Sequence, residues 1–319
     1  MAVVSQATVA EDPPIPSDAL IGLVDLSDDQ LREADIATLN LMAARSLPGA
    51  ENLDVKKCLR VLDQWTRLVR MNTKDWLPGF KRTPRRFGRS PGQFRMTAMI
   101  TVLQRSLGVR YNLSFNEGEY NGTDSRNLFI HGLLGGRGGT CVSMPVLYTA
   151  IGRRLGYPLK LVETKEHLFA RWDDPEGERF NIECTSRGFL SYDDAHHRQH
   201  PWPVTEDEVR NGIFLKSLEP REELSLFLQL RATCLRDNLR FADALEVYYH
   251  AHQLAPKMPG VGGHWGVVTL LYQSVHPTPT GFEVRWPRAT EKWQQEMIPV
   301  AKKTLHRIFK IHGIREAKS

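Results

Sequence analysis

The sequence contains no window approaching the ~18 uninterrupted apolar residues of a membrane-spanning helix, so no membrane partner is expected. It also lacks a basic start. The first Lys or Arg is Arg32, which excludes the charged opening of a secretory signal and leaves the cytoplasm as the expected location. Cysteine is scarce and scattered: Cys58, Cys141, Cys184 and Cys234 form no CxxC pair. That spacing excludes both a disulfide scaffold and a zinc knuckle.

What is present is enough for a globular protein. The 319 residues are 41% hydrophobic and 25% charged, a composition that buries a core and rules out wholesale disorder. At roughly 150 residues per domain, length alone suggests two domains. The net charge of +5 hides an asymmetry. Residues 1–35 hold eight acids against Arg32 alone, a net of −7, so with +5 overall the remainder carries +12. Charge of that size describes a surface without naming its partner.

Residues 1–25, with Pro13, Pro14 and Pro16, read as a flexible leader. Ser27 and Gln30 form a capping box that starts a helix near Asp28, and Asp35 caps a second helix running to Leu47-Pro48-Gly49. Val55, Leu59, Leu62, Trp65 and Val69 line one face of a third, expected to end near Asn72. Lys81–Arg89 is expected to be a basic loop around Phe87. Ser90, Pro91 and Gln93 then open a helix that stops before Gly108. This helical front, with a core over about 109–200, makes up residues 26–215. Residues 216–319 form a C-terminal helical region, in which Ala244, Tyr248, Ala251 and Pro256 fall at the spacing of one tetratricopeptide-like helix pair. A single unit builds no solenoid, so it is expected to pack on the main body.

Between these helices the pattern alternates. Leu159–Lys165, His167–Trp172 and Arg179–Thr185 read as short strands, with Asp174-Pro175-Glu176-Gly177 a turn, giving an antiparallel meander. His167, Phe169 and Arg171 then share one face, and Asn181 and Glu183 share one face of the next strand. Upstream, Gly132–Cys141 is a glycine-rich loop feeding an apolar helix from Val142 to Leu155. A phosphate loop needs Lys where Thr140 and Cys141 stand, so no nucleotide is expected there. His196, His197 and His200 lack the spacing of a zinc pair and are expected on a surface loop; no metal and no cofactor are expected.

Cys141 stands at a helix start, where unpaired N–H groups favour a thiolate nucleophile. His167, twenty-six residues on, offers a base, and Glu183 can orient the imidazole. Each residue alone has a plainer reading, since free cysteines are mostly small buried hydrophobes and strand carboxylates are mostly solvated.

Together, the order Cys, helix, strand, His, strand, acid resembles the transglutaminase-like superfamily of papain-related folds. The likeness is carried by Gly139-Thr140-Cys141, Gly152-Arg153-Arg154-Leu155-Gly156-Tyr157-Pro158, Glu166-His167-Leu168-Phe169 and Ile182-Glu183-Cys184-Thr185, over about residues 125–190. With the helical front from Ala34-Asp35-Ile36-Ala37 and the tetratricopeptide-like back, the chain resembles a bacterial branch that joins these three parts.

The resemblance implies an α+β fold: a papain/transglutaminase-like core, its Cys-bearing helix packed on an antiparallel sheet, flanked by N-terminal and C-terminal helices. It implies Cys141 as nucleophile, His167 as base and Glu183 at the acid position. The family usually has an Asp-Pro pair where this chain has Glu183-Cys184. Asn181 is the alternative orienter, since an Asn plays that part in papain-like proteases. The implied function is acyl transfer on amide bonds of a protein or peptide substrate, by hydrolysis or transamidation. The competing expectation is a catalytically silent scaffold for protein interaction, with a partner on the C-terminal helices. Nucleic acid is not expected, because no known module surrounds Lys81–Arg89.

Overall fold

The computed structural model describes residues 22–87, 89–113, 121–279 and 281–314. Most of the expected leader, Gly88, and the side chains of Arg86 and Phe87 lie outside the described residues.

The front is helical, and local capping chemistry explains most of its boundaries. Helix α1 (Asp28–Glu33) opens on the reciprocal Ser27–Gln30 box. Helix α2 (Ile36–Ala44) opens on Asp35, whose side chain accepts from the Thr38 N–H. Helix α3 (Val55–Arg82) opens on Asp54 and runs well past the expected stop near Asn72. It continues through Pro78 because its last turns find a tertiary partner: Phe80 stacks on Phe94, ring centres 4.6 Å apart. Lys81 and Arg82 therefore belong to the helix, and Pro84–Phe87 forms a 3-10 turn instead of an open loop. Helix α4 (Pro91–Thr101) is capped by Ser90 and ends in a wider π turn over Val102–Ser106.

The glycine-rich segment is only partly a loop. Ile130–Leu134 forms a short helix, α5, with Gly132 inside it. Helix α6 (Ser143–Arg154) follows and packs on a three-stranded antiparallel sheet of β1 (Leu159–Thr164), β2 (His167–Asp173) and β3 (Arg179–Ile182), in that order. Leu147, Tyr148 and Ile151 of α6 share a core with Leu161, Leu168 and Ala170. The opposite sheet face is covered by a smaller cluster of Val162, Phe169, Val204, Phe214 and Leu215. The architecture is thus α+β, with a helix on an antiparallel sheet and further helices on both sides.

Short helices α7 (Asp194–Gln199) and α8 (Glu206–Arg210) follow the sheet. Here the expected surface loop of histidines is corrected. Asp193 caps α7 by accepting from the His196 N–H, and His197 is 2% exposed, stacked on Phe169 at 3.9 Å.

Helices α9 (Pro220–Asp237) and α10 (Phe241–Leu254) pack against each other, with Ala244, Tyr248 and Ala251 buried between them. The Ser225 hydroxyl donates to the Ala251 carbonyl across the pair. One continuous core joins this pair to the front helices and α6. Arg231 of α9 donates to the Ala43 and Arg45 carbonyls at the end of α2, both at 2.8 Å. A second cluster joins α11 (Val261–Ser274), the hairpin β4 (Val275–Thr278) and β5 (Gly281–Val284), and α12 (Lys292–Ile311). Among the described residues no helix is long and apolar enough to cross a membrane.

One buried cation ties β2, β3 and α7 together. Arg171 is fully buried; its Nε donates to Asn181 Oδ1 at 2.7 Å, Nη1 to the Leu215 carbonyl at 3.1 Å and Nη2 to Asp194 Oδ1 at 2.5 Å. Removing one member of such a network leaves its partners unsatisfied. Arg171→Ala is expected to cost about 3 kcal/mol in urea unfolding. That is the low end of the range for a broken buried pair, because Asp194 is partly hydrated. A loss under about 1 kcal/mol would mean that water replaces the guanidinium.

Candidate active site

The cysteine is placed by its neighbours in sequence. Gly139 runs alongside residues 110–112, with its N–H donating to the Arg110 carbonyl at 2.8 Å and its carbonyl accepting from Asn112 N–H at 2.9 Å. Thr140 and Ser143 then lock the turn. The Ser143 hydroxyl accepts from the Thr140 N–H, and the Thr140 hydroxyl accepts from the Ser143 N–H and reaches the Asn127 carbonyl. Cys141 sits in this turn, half-buried, two residues before the first helical residue of α6.

The histidine is placed by a hairpin. Thr164 pairs with His167, so the chain reverses through Lys165 and Glu166, and Glu166 takes a left-handed φ of 59°. His167 opens β2 with its side chain 14% exposed. Its Nε2 donates to Glu183 Oε2 at 2.8 Å, which leaves Nδ1 as the second ring nitrogen, and Cys141 is near enough to act on the ring's pKa. Burial alone would lower the His167 pKa; hydrogen bonds to Cys141 and Glu183, together with their charges, outweigh it and raise it to about 9.

The carboxylate lies one residue beyond β3. Glu183 Oε1 accepts from the Thr185 N–H at 3.0 Å and the Thr185 hydroxyl at 2.6 Å, so both oxygens are engaged. Burial would raise its pKa, but the hydrogen bond and charge of His167 and the two Thr185 donors bring it down to about 2. Gln104 holds the following loop, donating to the Ser186 carbonyl and accepting from the Gly188 N–H.

The structure therefore brings Cys141, His167 and Glu183 together, while Asn181 is directed elsewhere. Its amide oxygen accepts from Arg171, and its Nδ2 donates to the Tyr192 carbonyl and Asp194. Two further residues border the cluster that sequence reasoning did not assign to it. Tyr111, carried beside Gly139, has its phenol pKa raised by burial and then by the charges of Cys141 and Glu183. His197 lies 6.3 Å from the His167 ring, and burial lowers its pKa to about 4. It is therefore a neutral neighbour at physiological pH. Tyr111 carried no sequence signal and His197 was read only as part of a surface loop, because each reaches the site through a contact across the fold.

The other cysteines are held as thiols by burial, which pushes Cys58 and Cys184 up and Cys234 up to about 12. Among the described residues no group of three or more His, Cys, Asp or Glu is arranged to hold a metal ion. A cluster of a cysteine, an imidazolium and an ionised carboxylate can carry nucleophilic acyl chemistry. A family model described as transglutaminase-like superfamily matches residues 56–224, more than half of the chain. No curated protein and no solved structure matches it.

Proposed function

The chain belongs to the transglutaminase-like superfamily, and on that premise we propose that it is a thiol enzyme acting on amide bonds of a protein or peptide substrate. The observation that supports this reading most directly is the His167 ring, bound through Nε2 to Glu183, with its pKa raised by Cys141 and Glu183 together.

In the proposed mechanism His167 already carries the proton, as an imidazolium beside the Cys141 thiolate, and the sulfur attacks the amide carbonyl carbon. The C–N bond breaks as His167 gives its proton to the leaving amine, and a thioester remains on Cys141 while the ring is left neutral. Water or a second amine then attacks the thioester, giving a proton to the neutral His167, and the sulfur leaves as a thiolate, which restores the starting pair. Water makes the enzyme an amidase or protease; a lysine amine makes it a transglutaminase. Glu183 stabilises the imidazolium until that proton is given up.

The test is to incubate the protein with an unfolded protein substrate and a fluorescent primary amine. Amine incorporation reports transamidation, and new amino termini report hydrolysis. One product is expected from the wild type and neither from Cys141→Ser. Neither product from the wild type, with iodoacetamide alkylation of Cys141 following the profile of a plain thiol, would leave the scaffold reading in its place.

A further inference from the structure

Helix α3 carries cations at Arg67, Arg70 and Lys74, spaced three and four residues apart and so aligned along one side of the helix. Two hollows lie along that side and share Arg70. One, of about 310 Å³, is lined by Asp63, Thr66, Arg67, Arg70 and Arg154. The other, of about 230 Å³, adds Lys74 and Arg95 over an apolar wall of Leu77, Phe94, Leu155 and Tyr157. Together they form a groove between α3 and the end of α6.

The charges in this groove are unevenly satisfied. Arg154 is paired, with Asp35 at 2.8 Å and Asp63 at 3.5 Å. Arg70 donates to the Arg154 carbonyl at 3.1 Å. Among the described residues Arg67, Arg70, Lys74 and Arg95 are exposed and none is paired with a carboxylate. Four cations side by side repel one another, so an anion laid among them relieves that repulsion as well as adding its own attraction.

We propose that this groove binds an acidic peptide segment carrying an apolar side chain, as a site on the substrate remote from the bond that reacts. The proposal rests on the amide-acyl reading of Cys141 for the word substrate, but the binding itself does not. Carboxylates of the peptide would lie along Arg67, Arg70 and Lys74, and an apolar side chain would enter the hollow walled by Leu77 and Tyr157. The apolar wall of Leu77, Phe94, Leu155 and Tyr157 beside the cations suits a peptide that carries an apolar side chain among its carboxylates better than a continuous phosphate backbone.

The position also sets a length. Helix α6 has 12 residues, and at 1.5 Å per residue it separates the groove from the Cys141 turn by about 18 Å. An extended chain covers that distance in at least roughly six residues, at about 3.3 Å each. The acidic segment is therefore expected at least that far from the scissile amide.

The experiment uses Cys141→Ala protein, so that binding is read without turnover. The probe is a fluorescein-labelled peptide of Glu residues around a single Phe, followed by anisotropy at rising salt. A single-stranded oligonucleotide of equal charge and a Lys-for-Glu peptide are run beside it. We expect the Glu peptide to bind more tightly than either and to weaken with salt. Combined Arg67→Glu, Arg70→Glu and Lys74→Glu reversal is expected to cost about tenfold or more in affinity. The milder Arg67→Gln, Arg70→Gln and Lys74→Gln protein, less exposed to any folding defect, is expected to fall between. Unchanged affinity in both variants would overturn the proposal, as would an oligonucleotide that binds as tightly as the peptide. Peptide binding without any acyl transfer by the wild type would strike the thiol reading and leave the groove standing.

Discussion

The His167→Ala protein is expected to lose about 10²–10⁴-fold in acyl transfer, the usual share of a general acid–base group. Cys141 alkylation by iodoacetamide at pH 6 is expected to fall with it. The reason lies in the proton. With its pKa raised to about 9, His167 is an imidazolium at neutral pH, and the variant loses that proton for the leaving amine. Wild-type activity is accordingly expected to fall as pH rises through about 9, where the imidazolium loses its proton. Glu183→Gln tests the support for that charge. Its amide cannot stabilise a cation as a carboxylate does, so the His167 titration followed by NMR is expected to move below about 9. An unmoved titration would mean that Glu183 only fills space.

The same pair makes a stability statement. His167 is raised above its unfolded value of 6.5, so its contribution is fully present below that pH and is lost as pH rises through about 9. Glu183 is lowered from 4.5, so its contribution is present above that pH and is lost as pH falls through about 2. These are two views of one interaction, which is complete between 4.5 and 6.5. Comparison of unfolding midpoints of wild type and Glu183→Gln across pH is expected to show the largest gap inside that window.

How much of this was legible in the sequence depended on the range of the contacts involved. Ser27, Asp35, Asp54 and Ser90 announce helix starts because a cap is a bond to a backbone group three residues on. The alternation of β1 and β2 is equally local, and it places His167, Phe169 and Arg171 on one face. The end of α3 was not legible, since the Phe80–Phe94 stack that extends it joins two helices. His197 looked like part of a polar loop because its burial depends on Phe169, twenty-eight residues earlier on the sheet. Tyr111 carried no pattern of its own; only the pairing of its strand-like segment with Gly139 brings it to Cys141. The hairpin β4–β5 was missed for a related reason. Its exposed residues alternate weakly, and the hairpin is fixed by packing on α12.

Gly132→Ala is expected to be the most damaging single-methyl change in the glycine-rich segment. The position lies inside α5, so its backbone suits any residue, and the objection is steric. A Cβ there would stand 2.0 Å from the Arg126 carbonyl oxygen and 2.7 Å from its carbon. Both are backbone atoms, so no rotamer change relieves the overlap. The turn at Arg126 is itself held, by Asp124 accepting from the Arg126 N–H and by Ser125 N–H donating to the Pro48 carbonyl. Its next residue, Asn127, offers the carbonyl that receives the Thr140 hydroxyl. Any shift that admits the methyl therefore pulls on the turn that carries Cys141. The expected cost is about 3 kcal/mol or more in urea unfolding, the upper range for overpacking, with a changed Cys141 alkylation rate in the protein that still folds. Gly136→Ala is the control. It has a left-handed φ of 80° but open space around it, so only the backbone preference of glycine is lost, about 1 kcal/mol. Equal costs for the two would mean that the Arg126 turn yields freely, and the Thr140 contact would then not be what positions Cys141.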